Sequence, residues 1–139
     1  MKSKQLILIA GDVVVLLLFV FIGQIEHGLV SSETPLLNVL SSAWIFAVVW
    51  LIVGWTIGAF PSDEQAFSRH NLIDKSINAW LITVLFSVVI RAFWLGSTVV
   101  FRSFILATVG FGLMFLLAWR IPFWLWQRRN AREIQVQFR

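Results

Sequence analysis

Residues 6–25 read LILIAGDVVVLLLFVFIGQI, a stretch in which the only ionisable side chain is Asp12. An α-helix rises about 1.5 Å per residue and the hydrocarbon core of a bilayer is about 30 Å thick, so a run of this length and composition predicts a membrane-spanning helix. Lys2 and Lys4 ahead of an apolar run would also suit a secretory leader. The run outlasts a usual leader's apolar region, however, and no A-x-A-like cleavage site follows it, so a retained helix is the expectation.

Three further stretches meet the same length criterion: about Leu37 to Phe60, Ile77 to Leu95, and about Phe101 to Trp126. Polar loops separate them at Glu26 to Pro35 and Pro61 to Ser76, with a short turn around Gly96 and Ser97. Ser31, Ser32 and Thr34 before Pro35 read as a helix start, and Pro61-Ser62-Asp63 as a stop. The chain of 139 residues, 59% apolar with mean hydropathy +0.86, is thus expected to form one transmembrane domain with a basic tail over 127–139.

Charge placement orients the spans. Of the Lys and Arg residues, Lys2, Lys4, Arg69, Lys75, Arg128, Arg129, Arg132 and Arg139 fall on one side and only Arg102 on the other. Under the positive-inside rule both termini and the loop from Pro61 to Ser76 face the cytoplasm. The expected fold class is therefore all-α: a four-transmembrane-helix bundle, up-down-up-down. Tryptophan prefers the interface, which puts Trp80, Trp119, Trp124 and Trp126 near the cytoplasmic boundary, Trp44 and Trp94 near the outer one, and Trp50 at mid-span as a packing or ligand-contact candidate, packing first. This distribution also accounts for the net charge of +4 without a nucleic-acid partner.

An ionisable group in a spanning helix costs about 2.5 to 3.5 kcal/mol on insertion scales, so each one demands a partner or a role. Asp12 and Arg120 each lie roughly 9 Å inside the cytoplasmic boundary, counted at 1.5 Å per residue from their span ends, and can meet as an ion pair or inner gate. Arg120 could instead snorkel to the headgroups along its aliphatic stem. Arg91 shares a helix face with Thr83 and Ser87, and its natural partners are Glu26 and His27, which together outline an outer polar cluster of Glu26, His27, Arg91 and Ser87.

Gly54 and Gly58 form the small-xxx-small pattern of close helix packing, within the bundle or against a second copy. In the fourth span Ser103 and Ala107 form a second small face, Gly110 and Gly112 flank Phe111, and Pro122 predicts a kink near Arg120. The tail carries Ile134, Val136 and Phe138 at alternate positions, as a segment on the anionic inner leaflet would, or as a disordered end.

Catalytic chemistry finds no foothold. With no cysteine there is no thiolate, disulfide or thiol metal site, and the isolated His27 and His70 lack companions at ligand spacing. No serine with a histidine base, paired-carboxylate site, Walker loop or H-E-x-x-H is visible. A non-enzymatic protein with no cofactor is expected.

The order of landmarks is itself distinctive: Gly11-Asp12, Gly23, His27-Gly28, Gly54-Trp55, Arg91, Phe101 and Trp119-Arg120. It is similar to the small four-helix prokaryotic membrane family catalogued as domain of unknown function 3054 (DUF3054), over about Leu6 to Arg120. The family pattern often has a proline after the second-span tryptophan; here Trp44-Ile45-Phe46 lacks it. The resemblance implies a bacterial or archaeal cell-membrane protein in which Asp12, His27, Arg91 and Arg120 are the marked positions. The leading functional expectation is a bundle that self-associates or serves as an accessory subunit of a membrane complex. Its rivals are a transporter or channel for a small ion or solute, and a protein binding a lipid, quinone or pigment in an aromatic groove, for which eight Trp and thirteen Phe offer lining.

Overall fold

The computed structural model describes residues 2–26, 34–61, 68–95 and 102–137, with the backbone alone described at Lys2, Asn38, Leu95, 102–104 and 130–137. Within these residues four α-helices form and no strand: α1 (Lys2–Glu26), α2 (Pro35–Ile57), α3 (Lys75–Leu95) and α4 (Arg102–Gln137). Each contains a segment long and apolar enough to cross a bilayer, which marks the chain as a multi-pass membrane protein. The helices close into a ring, α1 packing on α2 and α4, and α3 packing on α2 and α4, so that α1 and α3 occupy opposite corners.

The bundle is inside-out relative to a water-soluble one. Its exterior is apolar, with Leu85 65%, Leu106 73% and Phe93 86% exposed, whereas Asp12, Arg120, Ser76, Thr83 and Ser87 are fully or almost fully buried. Lipid tails solvate leucine as well as another leucine does, so burying apolar area between helices contributes little, and interhelical packing and hydrogen bonding must hold the ring together.

Indole packing does much of this. Trp80, expected at the cytoplasmic interface, is fully buried at the centre of the core. Its ring lies 6.0 Å from that of Trp50 and 6.4 Å from those of Phe46 and Phe19, and its Nε1 donates to the Val109 carbonyl at 3.2 Å. Gly112 makes room for it: a Cβ there would sit 2.1 Å from the Trp80 ring. Trp119, also expected at the interface, packs inward against Gly11 in the same manner and donates to the Leu8 carbonyl. In both places a glycine opposite admits the indole and a main-chain carbonyl accepts its N–H, so these rings pack between helices. Trp44 and Trp94 do lie together, rings 5.8 Å apart and both exposed.

Two elements differ from expectation. Part of the loop expected over Pro61 to Ser76 is helical, a single π-helical turn (His70–Asp74) leading directly into α3. The tail is neither a separate segment nor irregular through 137, because α4 runs on through Pro122 to Gln137. The turn around Gly96 and Ser97, the residues Ser31, Ser32, Ser62 and Asp63, and the side chains of Ser103, Ile134, Val136 and Phe138 lie outside what is described.

Candidate functional site

The GWTIGAF segment, residues 54–60, ends α2 and begins the site. Gly58 adopts a left-handed conformation, φ 75°, which a residue with a Cβ enters only at a cost. The Gly58 amide then donates to the Trp55 carbonyl at 3.1 Å and the Ala59 amide to that of Gly54 at 2.7 Å, the paired bonds of a Schellman cap. This reversal lays Phe60 over Gly54, where a Cβ would sit 2.6 Å from its ring. Gly54 and Gly58, expected to admit a neighbouring helix, are therefore used by the chain's own turn, because a left-handed residue cannot continue a helix face. The turn aims the Ala59 carbonyl into the bundle, toward α4.

There it meets Arg120. Arg120 Nε donates to Asp12 Oδ1 at 3.0 Å and Nη2 to Asp12 Oδ2 at 2.5 Å, a two-point pairing with both side chains fully buried. Nη1 reaches Ser76 Oγ at 2.5 Å, the Ala59 carbonyl at 2.9 Å and the Leu72 carbonyl at 3.3 Å. Ser76 in turn donates to the Leu72 carbonyl. On the other side, Trp50 Nε1 donates to Asp12 Oδ2 at 3.2 Å. The guanidinium carbon lies 5.1 Å from the centre of the Trp50 ring and 5.3 Å from that of Phe60, within cation–π range.

The pair thus draws on every element: Asp12 from α1, Trp50 from α2, Ala59 and Phe60 from the turn after it, Leu72 from the π-helical turn, Ser76 from α3 and Arg120 from α4. π-Helical turns are rare and frequently occur at functional sites; this one delivers Leu72, and α3 behind it delivers Ser76, to the guanidinium. Of these residues only Asp12 and Arg120 stand out in sequence as ions. Trp50 reads there as packing, and nothing in a sequence marks which carbonyls will accept.

A family model described as "Protein of unknown function (DUF3054)" matches residues 9–123, opening just before Asp12 and closing just after Arg120. The chain belongs to this family. No curated protein and no solved structure matches it.

At the opposite end of the DUF3054 bundle the described members of the expected outer cluster, Glu26, Arg91 and Ser87, are neither ion-paired nor hydrogen-bonded to one another. Glu26 is exposed at the end of α1 and Arg91 half-buried on α3, and no salt bridge joins them. Their helices stand at opposite corners of the ring, so the two side chains face each other only across a cavity of about 500 Å³ that both line. The polar link formed there is instead Gln24 Nε2 to Ser42 Oγ, 2.7 Å, between α1 and α2. Ser87 is fully buried below Arg91, and its hydroxyl, like that of Thr83, has no hydrogen-bond partner among the described residues. His27 lies outside the described residues. Among the described residues no group of three or more His, Cys, Asp or Glu side chains is arranged to hold a metal ion.

Proposed function

We propose that this protein is a non-enzymatic membrane module whose four spans are clamped into one arrangement by the Asp12–Arg120 pair. It works against other membrane helices, as an oligomer of itself or as an accessory subunit of a larger complex. The observation that carries this reading is the enclosure of Arg120: each of its three nitrogens donates to an acceptor, it is fully buried, and its acceptors come from every other helix or its adjoining turn. A gate or substrate-binding arginine needs a route for solvent or ligand; a buried structural clamp needs none. The apolar exterior supplies the surface for partner helices.

In this reading the bundle is up-down-up-down in a prokaryotic cell membrane, with both termini cytoplasmic. Contacts between neighbouring helices support the alternation. Gln5 with Phe60, Asp12 with Trp50 and Gln24 with Ser42 pair rising numbers on α1 with falling ones on and after α2. Trp44 with Trp94 and Trp50 with Trp80 do the same for α2 and α3, and Ser76 with Arg120 and Trp80 with Val109 for α3 and α4. Blue-native electrophoresis and native mass spectrometry in mild detergent test the association: a species larger than one chain is expected, and a strictly monomeric protein with no co-purifying subunit would overturn it.

A further inference from the structure

The cavity at the end remote from the ion pair has features that the clamp does not require. About 500 Å³ falls within the usual range for small-molecule sites. Its walls are aromatic: Phe19 from α1, Phe46 from α2, and Phe111 and Phe115 from α4. Ile22, Ala107 and Phe111 line it and are themselves exposed, so it opens sideways, on a face where bilayer chains lie. At one edge stands Arg91, half-buried on a spanning helix, permanently charged, and with no carboxylate in salt-bridge distance among the described residues.

A fixed cation on a spanning helix is costly unless an anion or water meets it. A cavity that is apolar in its depth, cationic at one edge and open toward lipid selects a molecule with the same polarity along its length. We propose that it binds a single-chain acyl amphiphile drawn from the bilayer, the anionic head on Arg91 and the chain among the phenylalanine rings. The space suits one chain with its head, not the body of a two-chain lipid. Glu26 also lines the mouth, but it is exposed at the end of α1, where water screens its repulsion of an anionic head. The binding does not depend on the clamp's role in assembly, so either can fail without the other.

The test uses the full chain in phosphatidylcholine nanodiscs and a brominated stearate, whose bromine quenches tryptophan fluorescence at short range. Trp80, buried behind the cavity wall with its ring 6.4 Å from those of both Phe19 and Phe46, is the reporter, read in a background where the exposed Trp44, Trp55, Trp94 and Trp126 are replaced by Phe. Saturable quenching is expected. Gly23→Leu should weaken it at least tenfold, because Gly23 lines the cavity and a Cβ there meets nothing within 4 Å, so the added side chain fills the space without a clash. Unchanged thermal stability of that variant shows that the space, not the fold, was lost. Arg91→Gln should weaken binding about tenfold and Arg91→Lys much less. Competition by stearate and by a lysophosphatidylglycerol distinguishes a free fatty acid from a lysophospholipid as the source of the acyl anion. Equal quenching in parent and Gly23→Leu would overturn the proposal, as would a neutral quinone that competes as well as stearate while Arg91→Gln binds normally.

Discussion

Arg120 donates two charged hydrogen bonds to Asp12 where both side chains are fully buried, and this sets the penalty for separating them. Removing one partner of a buried pair leaves the other charge uncompensated, at about 3–5 kcal/mol in measured cases. Asp12→Asn keeps the shape and one acceptor, so a loss near the low end, about 3 kcal/mol, is expected in thermal unfolding in micelles. Ser76→Ala removes one neutral acceptor from Nη1 and should cost about 1–2 kcal/mol by the same measurement. The two charges were legible in the sequence because an ion in an apolar run is conspicuous and helix rise gives its depth. The rest of the cage was not: the Ala59 and Leu72 acceptors are main-chain atoms that every residue possesses, and Trp50 offers an indole N–H that any mid-span tryptophan would offer.

At the scale of elements, two glycine positions and the turns beside them decide whether the helices can approach. Gly58→Ala would force a Cβ into left-handed backbone at about 1–2 kcal/mol and swing the Ala59 carbonyl away from Arg120. Gly112→Ala would push Trp80 out of its seat, an overpacking loss of about 1–3 kcal/mol. Both should show as lowered midpoints in thermal unfolding, Gly112→Ala with a change in tryptophan emission as well. The four spans themselves were readable, since twenty apolar residues admit few alternatives. The cap at Gly58 was misread because small-xxx-small looks the same whether the second glycine continues a helix or ends it. The π-helical turn was invisible because its residues, His70 to Asp74, are polar enough to pass for loop.

For the whole molecule, the arrangement is a ring of four helices with a sealed polar knot near one end and a lipid-facing cavity near the other. Because the chain has no cysteine, single cysteines can be introduced to test orientation without a background. Ser3→Cys and Ser68→Cys should react with a membrane-impermeant maleimide only after cells are opened, and Ser97→Cys in intact cells; the reverse pattern would invert the bundle. The proposed orientation rests on charge counts along the chain, whereas the cavity lies between side chains of α1, α2, α3 and α4, which no local pattern records.

The most direct measurement is a double-mutant cycle on Asp12→Asn and Arg120→Gln, read as unfolding free energy in micelles. If the pair clamps the bundle, the double variant will be less destabilised than the sum of the single variants by about 2 kcal/mol. Additive losses, agreeing within about 0.5 kcal/mol, would mean that the two charges do not hold each other and would contradict the clamp.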